Sequence, residues 1–140
     1  MKKKVKVIVI GCGNMGSSHA RAYHKLDGFD LVGLVDRNPG KRNHLAEELG
    51  GVDQFDDFDT ALMDTKPDAI AVCTYPGTHA ELTFKALEAG AHVFCEKPLA
   101  PNIEDAQSMV DAAKKHGKKL VIGYILRVHP SWEKFIEIAR

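Results

Sequence analysis

A chain of 140 residues with 19 basic and 19 acidic side chains suits one domain and gives no electrostatic case for a nucleic-acid or membrane-surface partner. Cys12, Cys73 and Cys95 are widely spaced with no C-x-x-C pair, which argues for reduced, buried thiols in a cytoplasmic protein and against disulfides or a metal site. No run approaches the ~20 apolar residues that span a bilayer, and the lysine-led start meets only a short apolar run broken by Lys6, so neither an anchor nor a secretory leader is expected.

Val5–Ile10 is a block of Val and Ile interrupted only by Lys6, the pattern of a strand buried on both faces. Gly11, Gly13 and Gly16 then stand at G-x-G-x-x-G spacing. Met15, Ala22, Tyr23 and Leu26 recur at helical offsets, so a helix is expected with those residues and His19 inward. Residues 31–35 read as a second strand closed by Asp36, and Asn38-Pro39-Gly40 as a turn. A helix over residues 41–49, stopped by Gly50-Gly51, is followed by a short strand at 52–55. Residues 57–63 suggest a brief helix bearing Phe58, Ala61 and Leu62, and Lys66-Pro67-Asp68 a turn.

Residues 69–73 form a buried strand pattern, 74–78 a loop, and His79–Glu88 a helix with Ala80, Thr83, Ala86 and Leu87 inward. A strand at 91–95 precedes a helix at 103–116, which turns Ala106, Met109, Val110 and Ala113 to one face. Residues 120–125 are a sixth strand pattern, and a last helix starts at Ser131 with Trp132, Phe135, Ile136 and Ala139 on one stripe. Strands alternating with helices predict an α/β fold of three layers, a doubly wound parallel sheet of the Rossmann dinucleotide-binding type.

A glycine loop placed between strand and helix has a chemistry attached to it. Gly11 permits the tight turn, Gly13 lets backbone N–H groups approach a pyrophosphate, and Gly16 lets the helix pack against the strand. The helix N-terminus then faces the phosphates. Asp36, twenty positions beyond Gly16, is placed to accept hydrogen bonds from ribose hydroxyls and to repel a 2′-phosphate. NAD is the cofactor expected, while Arg37, Lys41 and Arg42 just beyond leave NADP open. Ligands in such sheets sit beyond the carboxyl ends of the strands, where the glycine loop, Asp36, residues 74–79 and residues 96–98 all fall.

The run Gly11-Cys12-Gly13-Asn14-Met15-Gly16 with His19-Ala20, the run from His79-Ala80-Glu81 through residues 86–93 to Glu96-Lys97-Pro98, and Gly123-Tyr124 with Arg127 together resemble the glucose–fructose oxidoreductase / inositol dehydrogenase (Gfo/Idh/MocA) family. The resemblance implies a pyridine-nucleotide-dependent oxidoreductase acting on a sugar, inositol or related polyol or keto compound. It places a catalytic role on Lys97, puts Thr74 and His79 in the cofactor loop, and sets Arg127 near the substrate side. Tyr75-Pro76 stands where the family usually has Pro-Asn, and Val128 where an aromatic is usual. Members also carry a C-terminal α/β domain. Residues 1–128 are therefore expected to be the Rossmann domain and 129–140 the start of the helix leading to that second domain.

The expected cofactor-binding set is Gly11, Cys12, Gly13, Asn14, Met15, Gly16, Asp36, Arg37, Thr74, Tyr75, Pro76, His79, Glu96, Lys97 and Arg127, with Lys97 catalytic and no metal. A small polyol or sugar substrate and assembly as a homo-oligomer complete the expectation. The alternative is a non-catalytic nucleotide-binding or sensing module, inactive as the 140-residue chain.

Overall fold

Strands with no polar face can be satisfied only in the middle of a sheet covered on both sides, and the computed structural model, which describes residues 3–124 and 129–139, builds that arrangement. The elements in order are β1 Val5–Ile10, α1 Asn14–Lys25, β2 Phe29–Val35, α2 Pro39–Glu48, β3 Gln54–Phe55, α3 Phe58–Thr65, β4 Ala69–Val72, α4 His79–Glu88, β5 His92–Cys95, α5 Ile103–Lys115, β6 Leu120–Ile122 and α6 Pro130–Ala139. Six parallel strands lie in the order β3-β2-β1-β4-β5-β6. The order reverses between β1 and β4, which opens a crevice at their carboxyl ends.

Alternate residues of β1 feed two different cores. Ile8 and Ile10 join Ile70, Val72, Phe58, Leu87 and Met109 on the face covered by α3, α4 and α5. Val7 and Val9 join Ala20, Leu31, Leu34, Leu45 and Leu49 under α1 and α2. Truncating one of these side chains, Leu87 for example, to alanine costs about 2–5 kcal/mol.

The structure redraws several local expectations. In α1 the buried residues are Gly16 and Ala20, while Met15 and Leu26 are exposed, so the inward stripe runs through 16, 19, 20 and 23 rather than through Met15, Ala22 and Leu26. Gly16 and Ala20, the buried members of that stripe, are small enough for the helix to lie close on β1. Asn38-Pro39-Gly40 is the start of α2 rather than a free turn: the Asn38 side chain accepts the Lys41 N–H at 3.1 Å, and Pro39 occupies the first helical position. The strand over 52–55 shrinks to Gln54–Phe55. The sixth strand ends at Ile122, and Ile125 lies outside the described residues. In α6, Trp132 and Phe135 stack on each other at 5.4 Å and, with Ile136 and Ile138, stay exposed. Among the described residues no helix is long and apolar enough to cross a membrane.

Candidate dinucleotide and active site

Each side of the crevice is made by a strand end and the loop that follows it. After β1 the chain turns at Gly11, whose φ of +90° favours glycine and where a Cβ would stand 2.6 Å from the Cys73 carbonyl oxygen. At Gly16 a Cβ would lie 1.6 Å from the Gly11 carbonyl oxygen. Gly13 is different: a Cβ there would meet nothing within 4 Å, so the space above it is open.

The helix that starts on this loop is left uncapped. Asn38, Asp57 and Asn102 cap α2, α3 and α5 with side-chain oxygens. Gly13 offers α1 no side chain, and the first turn of α1 holds no acid. Its first N–H groups and the positive end of its dipole therefore face the open space above Gly13, an arrangement that suits a diphosphate.

Asp36, just past β2, bridges two loops. One carboxylate oxygen accepts the Cys12 N–H at 2.7 Å and the other the Asn38 N–H at 2.8 Å. An ionised carboxylate has roughly four acceptor positions, so room remains for ribose hydroxyls. The Cys12 N–H is thereby spent on Asp36, and its thiol is buried, which makes Cys12 a support of the loop rather than its surface. Burial pushes the Cys12 thiol up to about 12, and the nearby Asp36 charge adds to the effect. Arg42 donates from Nη1 to the Asp36 carbonyl at 2.6 Å, and its buried Nε has no partner among the described residues. Arg37 is exposed beside them.

On the other side, Thr74 and Thr78 share a hydroxyl hydrogen bond at 2.8 Å in the loop after β4, and Tyr75 stands 83 % exposed at its tip. Pro76 begins a 3-10 turn there. His79 is not a surface residue of this loop. It is fully buried, with Nδ1 2.9 Å from the Pro98 carbonyl oxygen and Nε2 3.1 Å from that of Thr74. It joins the loop after β4 to the loop after β5 from beneath.

Past β5, Lys97 is exposed and its peptide bond to Pro98 is cis. Glu96 is buried and forms no ion pair with the Lys97 ammonium: one oxygen lies 2.7 Å from His19 Nε2, and the other accepts the Lys97 backbone N–H at 3.2 Å. Lys97 makes no ion pair among the described residues. Arg127 lies outside the described residues.

The fold thus brings the glycine loop, Asp36, the Thr74 loop and Glu96-Lys97 to one edge of the sheet. Sequence reasoning missed the link from His19 to Glu96, 77 positions apart, and the Arg42 contact to the Asp36 backbone. A histidine on the inward stripe of α1 was the available signal for the first. No group of His, Cys, Asp and Glu among the described residues could hold a metal ion.

The model of the Gfo/Idh/MocA "Oxidoreductase family, NAD-binding Rossmann fold" matches residues 5–124. The chain is 38 % identical over 121 residues to a D-glucoside 3-dehydrogenase of Escherichia coli, across 86 % of this chain and 34 % of that protein. It is 32 % identical over 133 residues to a myo-inositol 2-dehydrogenase of Thermotoga maritima, across 95 % of this chain and 40 % of the relative. Among solved structures it resembles scyllo-inositol dehydrogenase of Lactobacillus casei with bound NAD(H) and scyllo-inositol, at 27 % identity and a TM-score of 0.90, over 98 % of this chain and 41 % of that one. The chain therefore spans about a third to two fifths of the length of these relatives.

Proposed function

Because this chain belongs to the Gfo/Idh/MocA family of oxidoreductases through its NAD-binding Rossmann fold, we propose that it is the cofactor half of a dehydrogenase acting on a sugar, an inositol or a related polyol. The observation that carries the reading is the meeting, at one sheet edge, of an uncapped helix N-terminus and a glycine with open space above it, Asp36 at the end of β2 and the exposed Lys97 at the end of β5. The glycine loop and α1 would hold the diphosphate, and the spare acceptor positions of Asp36 the adenosine ribose. A bound nicotinamide would supply hydride transfer.

The chain's own contribution to that reaction is Lys97. As the neutral amine, Lys97 takes the proton of a substrate hydroxyl; the ammonium so formed stabilises the developing alkoxide and returns the proton in the reverse direction. Arg37 and Lys41 are exposed just past Asp36, beside the end of the crevice assigned to the adenosine ribose. The substrates named for the relatives, inositols and a glucoside, set the class to test. The same reading puts the protein in the cytoplasm, where its free thiols stay reduced, and makes the exposed apolar residues of α6 a surface for self-association.

The test has two arms. Calorimetric titration of the chain with NADH and NADPH should show NADH binding preferentially. A protein that carries this domain should produce NADH from NAD when given inositols or glucosides, followed by absorbance. Absence of NADH binding to the folded chain would end the cofactor reading; binding without turnover of any polyol or sugar would end the substrate class.

A further inference from the structure

One polar contact ties the helix of the glycine loop to the strand end that presents Lys97. His19 on α1 donates from Nε2 to Glu96 Oε1 at 2.7 Å, and Glu96 Oε2 accepts the Lys97 N–H at 3.2 Å. Glu96 is only 5 % exposed. A carboxylate so placed is unfavourable unless hydrogen bonds compensate it, and among the described residues these two are its donors.

Both partners are held in place. The His19 ring packs on Phe94 at 4.6 Å between centroids and on Tyr23 at 6.4 Å. Gly123 covers Glu96 so closely that a Cβ there would come within 3.2 Å of the carboxyl carbon and 3.0 Å of the Phe94 ring. The carboxylate is thus boxed in by α1, β5 and the residue after β6. Where it sits decides where the chain leaves β5 for Lys97.

We propose that His19 is a positioning residue for Lys97. Through Glu96, which holds the Lys97 backbone N–H, it fixes the backbone of residues 96–98 that borders the nicotinamide end of the crevice and from which the Lys97 side chain departs. NADH affinity reads that backbone and not the lysine ammonium. The adenosine and diphosphate end, built on the glycine loop and Asp36, does not depend on it. This proposal rests on the cofactor reading above. It differs from a simple packing role in one respect: His19 acts on one end of the site and not the other.

The experiment compares two ligands on the 140-residue chain, NADH by fluorescence and ADP by calorimetry, together with hydrogen exchange of the Lys97 amide. His19→Ala should weaken NADH about tenfold, the scale of one lost charge-assisted hydrogen bond. ADP affinity should stay within about twofold, and the Lys97 amide should exchange faster. His19→Gln, whose side-chain amide can donate to Glu96 in place of Nε2, should restore NADH affinity and amide protection together. Should His19→Ala fail to fold, Glu96→Gln carries the same test, with NADH weakened and ADP retained.

Equal weakening of NADH and ADP would reduce His19 to a packing residue of α1 and overturn the proposal. So would unchanged NADH affinity, or a folded His19→Gln chain that rescues nothing. If the unmodified folded chain binds ADP but not NADH, or binds neither, the cofactor reading itself falls and takes the proposal with it.

Discussion

Alanine at Gly13 and at Gly16 should separate binding from folding within one loop. At Gly13 the backbone has φ −74° and ψ −167°, which any L-residue adopts, and an added Cβ meets nothing within 4 Å. Losing glycine at a helix cap costs a few tenths to about 1 kcal/mol, and the stiffer unfolded chain returns about 0.4–1 kcal/mol. Stability should therefore move by less than about 1 kcal/mol. At Gly16 the new Cβ lies 1.6 Å from the Gly11 carbonyl oxygen and 2.8 Å from its carbon. Both atoms are backbone, so α1 must lift from β1, at a cost of about 3 kcal/mol. That is a large part of the ~5–15 kcal/mol that holds a domain together.

Binding should show the opposite order. The Gly13→Ala methyl occupies the open space in front of the uncapped α1 N–H groups, where a diphosphate must approach. NADH affinity should drop about 100-fold. Urea unfolding followed by circular dichroism reads the stability of both variants, and calorimetry reads NADH binding to Gly13→Ala. If Gly13→Ala binds NADH within threefold of the unmodified chain, the diphosphate does not pass over Gly13 and the reasoning fails. If Gly16→Ala unfolds at the same urea concentration as the unmodified chain, the close approach of helix to strand is wrong.

Asp36→Ser removes the acceptor of two backbone N–H groups and of the ribose, so NADH should bind at least about tenfold more weakly and the preference over NADPH should vanish; calorimetry showing NADPH binding as tightly as NADH to the unmodified chain would contradict this. In a protein carrying this domain, Lys97→Met should lower kcat by roughly 10²–10⁴ with little change in cofactor affinity. A retained kcat beside weakened NADH binding would make Lys97 a cofactor contact instead. Burial pushes the Cys12, Cys73 and Cys95 thiols up to about 12 from an ordinary 9.0. The folded chain then holds protons that the unfolded chain releases, so this stabilisation is complete below about pH 9 and declines as pH rises from there toward 12. Urea midpoints should fall between pH 9 and 11, and a level midpoint across that window would refute thiol burial as a contributor.

Much of this protein is legible in local pattern, because local pattern is what sets strands, helices and turns. The apolar block of β1 and the glycines after it define a strand and a loop through sterics of neighbouring residues alone, and the positions of Asp36 and Lys97 just beyond strands follow from the same kind of pattern. Helix starts were less visible: Asn38-Pro39-Gly40 has turn chemistry that also serves as a cap and first helical turn, and only the packing of Leu45, Ala46 and Leu49 under the sheet decides for helix. The side of α1 that faces inward depends on how near the sheet lies. Close approach at Gly16 buries Ala20 and leaves Met15 outside, although hydrophobicity favours Met15. The partners of His19, Glu96 and His79 were hidden for a different reason. Hydrogen bonds across 77 and 19 positions depend on which strands become neighbours, and the order β1-β4-β5 is a property of the whole sheet. The residue types in the crevice come from the sequence; which of them line its open space and which hold the others in place was decided by the tertiary structure, because a buried carboxylate or imidazole must find its partner wherever the fold puts one.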